Sequence, residues 1–339
     1  MALMRAAVMN GFGQPLRLVE VPMPTPGPGE ILIRLEASGV CHSDVHIWKG
    51  DTQAPVAPDP FILGHEGVGA VAALGAGVEG WVLGERAGAA WLHDTCGICD
   101  LCLAGEESFC AAQRAHGFNV PGTFAEYVVA KAAFAVKVPS GDGPALAPLM
   151  CAGLTAYGAI ERAKLAQGET CAIFGCGGLG LFAVQLAARR GATVVAVDTD
   201  PAKLDMARRM GAHATELATA TLPDTWPSAL RAHATINFAP TPRTWPAMQA
   251  ATRPLGRIIA AAMVAEPVPL SQEWLTWTGI TLTGTSVGTR AQMAALMRLH
   301  EATPLESPVE VIRLQDASDA LRALAEGRAK MRYSIAFQG

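Results

Sequence analysis

Residues 170–212 read TCAIFGCGGLGLFAVQLAARRGATVVAVDTDPAKLDMARRMGA, and this stretch decides the fold. TCAIF is a largely apolar run of strand length. A glycine-rich turn follows at once, then an apolar stretch of helical length. VVAV makes a second strand, which ends at Asp198, and the remainder reads as a second helix. Strand, turn, helix, strand and helix in so short a span open a parallel α/β sheet. Further strands are expected at ATINF (234–238), GRIIAAA (256–262) and ITLTGTS (280–286), with helices between them. The economical reading is a doubly wound, six-stranded parallel sheet.

Gly175, Gly177 and Gly180 spell G-x-G-x-x-G, with Gly178 and Leu179 between the last two. Alone this pattern is weak. Here it has a strand before it, a helix after it and an acid at the end of the second strand, which is the dinucleotide-binding (Rossmann) context. Gly175 permits a tight turn, Gly177 lets backbone approach a pyrophosphate, and Gly180 lets helix and strand pack closely. The helix N-terminus then offers its free N–H groups to the phosphates. The competing reading is a glycine turn that holds no nucleotide. Asp198 lies eighteen residues beyond Gly180. A carboxylate there accepts hydrogen bonds from ribose hydroxyls and repels a 2′-phosphate. No arginine follows it directly, since the next residues are Thr199, Asp200 and Pro201. NAD is therefore expected rather than NADP. Lys203 either reaches the ribose or is a solvated helix residue.

A second stretch raises a different chemistry. CGICDLCLAGEESFC (96–110) holds Cys96, Cys99, Cys102 and Cys110 of the chain's eight cysteines, spaced C-x2-C-x2-C-x7-C. Nothing at the N-terminus resembles a signal peptide, so a reducing cytoplasm is expected. Disulfides would be odd there, whereas four thiolates around one tetrahedral Zn2+ would be ordinary. Gly97 and Gly105 let the chain wrap an ion. Four protein ligands leave no open position, so this zinc would be structural.

The 339 residues suit two domains. Hydrophobic residues make up 50% and charged residues 17%, which argues for a large core and against disorder. The net charge of −4 offers no basic face for nucleic acid and no polybasic membrane anchor. No uninterrupted apolar run of about 18 residues is present, so no membrane span is expected. Residues 1 to 145 look β-rich, with strands at EILIRLEASGV (30–40), GVGAVAAL (67–74) and AEYVVA (125–130). PLMCAGLTAYGAIERAKL (148–165) reads as one helix carrying Cys151. After residue 288 the chain returns to mixed helix and strand.

CHSDVHIWKGD, the GHE box at 64–66, the four-cysteine loop, GTFAEYVVA, APLMCAGLTAYGAI, IFGCGGLG with Asp198 downstream, and GTSVGTR together span nearly the whole chain. In this combination the chain resembles a zinc-dependent alcohol dehydrogenase of the medium-chain dehydrogenase/reductase family, the bacterial and yeast type most of all. The resemblance implies a GroES-like catalytic domain over 1–150 and 288–339 with both zinc sites, and a Rossmann domain over 151–287.

It also implies residue roles. Cys41, His65 and Cys151 would hold a catalytic Zn2+ with one position open. Glu66 would lie beside that metal, and Asp44 would accept the other N–H of His65. Ser43 and His46 would relay the substrate proton through the cofactor ribose to solvent. Thr155 would touch the nicotinamide, Leu179 would pack behind it, and Val264 would bring backbone to the carboxamide. His42 and Arg332 would sit near the pyrophosphate, though His42 also reads as a surface histidine. Trp91 would line the substrate pocket or pack in the core. Taken singly, Cys41, His65, Cys151, Glu66 and Asp44 read better as ordinary buried residues; only together do they mark a site. The implied reaction is reversible hydride transfer between a primary or secondary alcohol and NAD, in a homo-oligomer, tetramer or dimer.

The chain departs from the family in places. Thr52 stands where yeast-type enzymes carry a pocket tryptophan, which suggests room for bulkier alcohols. PSGDGPALAPL (139–149) looks shortened and is expected to alter only a surface loop. NFAP (237–240) replaces D-x-x-G near the adenine edge. Cys171 reads as strand core, and Cys176 as a thiol inside the glycine turn, inert or oxidation-sensitive. Competing readings are a polyol, aromatic or cinnamyl-type alcohol on the same scaffold, and a non-catalytic protein derived from the fold.

Overall fold

The computed structural model describes residues 2–52 and 60–337. The chain forms two units, Met1–Ala152 with Thr289–Gly339, and Gly153–Gly288.

In the first unit the strand Glu30–Gly39 is central. It pairs antiparallel with Gly67–Leu74, with Tyr127–Lys131 and, at its C-terminal end, with Arg332–Ala336. The inward-facing residues Ile31, Ile33, Leu35, Val71, Ala87 and Val128 are buried together with Trp81. The register positions the chemistry. Ser38 lies opposite Gly67 in an antiparallel pair, so Cys41, just past one strand, is brought beside His65 and Glu66, just before the other. The Gly39 N–H donates to the Glu66 carbonyl at 3.0 Å, which extends the ladder by one bond.

Strand 125–130 is displaced, running Tyr127–Lys131, because Ala125 instead bridges to Ala6. PSGDGPALAPL is not a surface loop. Asp142 caps a short helix, Gly143–Leu146, with Pro at its start, and a tight turn Ala147–Met150 continues it. Leu146, Ala147, Leu149 and Met150 are buried there, because the apolar residues need a core that a loop would not provide. The helix expected over 148–165 is broken. Cys151 takes φ −133°, ψ −63°, outside helical values, and the helix proper is Ala152–Ala163. Cys151 is thus a corner residue rather than a helical one.

In the second unit six parallel strands run in the spatial order Ala214–Leu217, Thr193–Asp198, Thr170–Phe174, Ala232–Asn237, Thr252–Ala260, Thr281–Gly284. This is the 3-2-1-4-5-6 order of a dinucleotide fold. The strand Thr170–Phe174 is buried on both faces, as central parallel strands require. Three later strands differ in extent from the sequence reading. Phe238 and Ala261 fall outside their strands, the strand from Thr252 starts early and carries Leu255 at φ +59°, and the last strand is shortened to Thr281–Gly284.

Candidate active site

Asp44 organises the first cluster. It sits in the first turn of the helix His42–Lys49, whose N-cap is Cys41. One of its oxygens, Oδ2, accepts the Cys41 N–H at 2.8 Å. The other, Oδ1, accepts the Gly64 N–H at 3.1 Å and meets His65 Nδ1 at 3.0 Å. One buried carboxylate therefore ties a helix cap, a loop and an imidazole together. With Nδ1 as donor, Nε2 carries the lone pair. That Nε2 is buried and has no hydrogen-bond partner among the described residues. Such an orphan is costly inside a protein unless something binds it.

The Cys41 and Cys151 sulfurs, a His65 ring nitrogen and a Glu66 oxygen all lie within 4.8 Å of one another, and all four residues are buried. The hydrogen bond from Cys151 holds the Cys41 thiol well below its usual range, helped by His65 and Arg332. That same bond, with burial, pushes Cys151 well up. Burial works against charge on His65, but Asp44 outweighs it and raises the ring's proton affinity. The cluster therefore holds protons that a cation would displace. Two sulfurs and one orphan imidazole nitrogen fit a zinc with an open position.

Glu66 is fully buried. Its Oε1 accepts the Ala152 N–H at 3.2 Å, and Arg332 Nη2 donates to Oε1 at 2.7 Å and Oε2 at 2.5 Å. Burial pushes Glu66 up to about 7 even though Arg332 pulls it down. Arg332, expected near a pyrophosphate, gives its Nη2 to this pair, because a buried carboxylate demands a counter-charge. The pair is not legible in the sequence, since 266 positions separate its partners.

Ser43 is half-buried, its Oγ 3.8 Å from the Cys41 sulfur, and His46 is one turn further along the same helix. Asp51 was missed from sequence. Gly50 ends the helix with φ +79°, which folds Asp51 back so that its N–H meets the His46 carbonyl at 3.0 Å and its Oδ2 meets His46 Nδ1 at 3.4 Å. A glycine after a helical stretch was the available signal. His42 is exposed at the first helical position. Trp91 stands edge-on to His65 at 5.0 Å and also packs on Phe118. Thr52 Oγ1 is buried with no partner among the described residues.

The four-cysteine loop closes on itself. All four sulfurs lie within 4.8 Å, with Cys96 to Cys102 at 3.9 Å and Cys96 to Cys110 at 3.5 Å. The edge of a zinc tetrahedron with bonds near 2.3 Å is about 3.8 Å, whereas a disulfide needs about 2.05 Å. All eight cysteines are free, so the disulfide alternative falls. Gly97 (φ +71°) and Gly105 (φ +75°) face open space, so they are needed for backbone conformation rather than room. Backbone N–H groups of Ile98 and Cys99 pull the Cys96 thiol down to about 6, while the crowded neighbouring sulfurs push Cys99 up to about 11, so the four share protons that a cation would displace.

In the second unit the three motif glycines do three different things. Gly175 turns the chain at φ +90° against the backbone of Ala239. Gly177 is exposed, with nothing within 4 Å of the place a Cβ would take. Gly180 could not carry one, since it would lie 1.8 Å from the Gly175 carbonyl oxygen. The helix Gly178–Arg189 starts at this turn, with Leu179 half-buried. Asp198 Oδ2 accepts the Cys176 N–H at 2.7 Å and Oδ1 the Asp200 N–H at 3.0 Å, fixing the carboxylate beside the turn. Lys203 and Val264 are half-buried, and Thr155 is buried on its helix. Asn237, in NFAP, accepts the Ala239 N–H at 3.1 Å and so braces the turn behind Gly175. Burial pushes both Cys171 and Cys176 up to about 12, so neither is a reactive thiolate.

A β-rich unit with two thiol clusters and a doubly wound unit with a glycine turn define a metal-binding dehydrogenase. Residues 27–140 match the alcohol dehydrogenase GroES-like domain, and 178–302 match the zinc-binding dehydrogenase domain. The chain is 38% identical to an alcohol dehydrogenase of Moraxella sp. over 98% of its own length and 99% of that protein's. It superposes on a thermostable alcohol dehydrogenase from Pyrobaculum aerophilum with a TM-score of 0.90 at 30% identity, covering 99% of this chain and 100% of that one. An acetophenone reductase from Geotrichum candidum, solved in complex with NAD, gives a TM-score of 0.88 at 30% identity, covering 99% and 97%. The chain belongs to the zinc-dependent alcohol dehydrogenases of the medium-chain dehydrogenase/reductase family.

Proposed function

We propose that the chain oxidises primary or secondary alcohols with NAD, and reduces the products, using one zinc held by Cys41, His65 and Cys151 and a structural one held by Cys96, Cys99, Cys102 and Cys110. The observation that carries this is the orphaned, buried His65 Nε2 amid two cysteine sulfurs. A bound zinc supplies Lewis acidity to the alcohol oxygen, and a bound NAD supplies the hydride acceptor. Asp44 holds His65 in the ligating tautomer. Ser43 Oγ would take the substrate hydroxyl proton, and His46, one turn further along the same helix, would hand it to solvent. The bond from His46 Nδ1 to Asp51 leaves Nε2 as the accepting nitrogen. Trp91, edge-on to His65, would keep water from that side of the site. Gly177 offers bare backbone to the pyrophosphate, and Asp198 selects the unphosphorylated ribose.

Thr52 in the pocket favours alcohols bulkier than ethanol. Exposed Ile98, Leu103 and Trp277 support a homo-oligomer. Among the described residues no single helix is long and apolar enough to cross a membrane.

Zinc content of the wild type and Cys151→Ala, with NAD-linked alcohol oxidation alongside, tests the reading. Two zincs per chain should fall to one, with activity lost. One zinc in both proteins would remove Cys151 from the ligand set.

A further inference from the structure

Gly39 is buried at the end of the central strand, and its φ is not in the left-handed region, so no conformational need explains a glycine there. Space explains it. A Cβ on Gly39 would lie 1.9 Å from Glu66 Oε2 and 3.0 Å from its Cδ. The Glu66 carboxylate thus occupies the volume of the missing side chain. The same residue donates its N–H to the Glu66 carbonyl, and it lies opposite Ser334, two residues along the strand from Arg332. Gly39 therefore touches both the backbone and the side chain of Glu66 and sets the strand that delivers its counter-charge.

A Glu66 carboxylate denied this volume has few places to go. Solvent is closed to it, since the residue is fully buried. A carboxylate oxygen already lies within 4.8 Å of the Cys41 and Cys151 sulfurs and a His65 nitrogen. The far end of a flexible side chain rotates at low cost, and a dication would attract it. We propose that Gly39 is a positioning residue. Its missing side chain parks Glu66 on Arg332 and keeps the carboxylate from closing the Cys41, His65, Cys151 site, leaving room for the alcohol. The inference rests on the metal reading above.

Cobalt(II) exchanged into the catalytic site reports ligand number and type through its visible bands, independently of turnover. The wild type, Gly39→Ala, Glu66→Ala and the double variant are compared, the four-cysteine site giving a constant background. Gly39→Ala is expected to shift the bands, to keep full metal content and to lose on the order of tenfold in kcat/KM. The double variant is expected to show the bands of Glu66→Ala alone. Gly39→Ala bands that match the wild type, or a shift that persists without Glu66, would overturn the proposal. Should Gly39→Ala fail to fold, recovery of folded protein in the Glu66→Ala background supports the steric coupling, and equal failure overturns it. Absence of cobalt uptake at this site in the wild type would sink the metal reading itself and this proposal with it.

Discussion

Replacing Asp44 by Asn keeps the shape of the side chain and removes its charge. In the wild type the carboxylate accepts from three buried donors: the Cys41 and Gly64 N–H groups and His65 Nδ1–H. An Asn with its oxygen at the Oδ1 position keeps the Gly64 and His65 bonds as neutral ones and points an NH2 at the Cys41 N–H. Losing one charge-assisted bond costs about 2 kcal/mol, and weakening two costs about 1 kcal/mol each, so about 4 kcal/mol in all. Full burial means that no solvent screening discounts the figure. Asp44→Ala strips all three and should cost about 6 kcal/mol, comparable with the whole stability of a domain. The bond that fixes the His65 tautomer is weakened in Asp44→Asn and lost in Asp44→Ala, which should lower catalytic-zinc affinity by about 10- to 100-fold. The assay is urea denaturation, paired with zinc retained after dialysis against a graded chelator. Asp44→Asn should release one zinc early and keep the four-cysteine zinc. Wild-type stability with both zincs held equally would refute the reasoning.

Asp198→Asn should bring the ratio of kcat/KM for NADP over NAD up by about tenfold, since the repulsion of a 2′-phosphate goes with the charge; an unchanged ratio would mean that another group selects the cofactor. Burial, then the neighbouring His93, pushes His116 down to about 4, so the folded state binds its proton far less readily than the unfolded chain. Stability from this residue is present above pH about 6.5 and is lost as pH falls toward 4, about 2 kcal/mol of it by pH 5. Denaturation of His116→Gln should therefore decline less between pH 7 and 5 than that of the wild type, and parallel declines would contradict the assignment. Turnover on ethanol, hexanol and benzyl alcohol should favour the larger two if Thr52 opens the pocket, and Thr52→Trp should reverse the order; a clear ethanol preference in the wild type would end that idea.

Two features were legible from the sequence because their parts are close along the chain. The glycine turn needs only a strand, three glycines and a helix in succession, and each glycine meets a local steric demand that the motif already states. The four-cysteine loop is likewise one short segment whose spacing suits one ion. The sixth parallel strand, Ala214–Leu217, carries no apolar signature in the sequence because it is an edge strand, its residues half-buried or exposed. Cys151 was misplaced on a helix because the residues around it all suit one. The break there leaves its sulfur within 4.8 Å of the Cys41 sulfur, a contact between distant segments that no local pattern encodes.

The sequence by itself determined the class of fold, the structural zinc loop and the chemistry of the dinucleotide turn, since these depend on neighbours in the chain. Sheet register decided the rest. Cys41 and His65 meet because Ser38 pairs with Gly67, and Arg332 reaches Glu66 because Ser334 pairs with Gly39. A buried carboxylate takes its partner from whatever cation the fold delivers, and a glycine that exists to leave space is recognisable only when the neighbour that fills the space is seen.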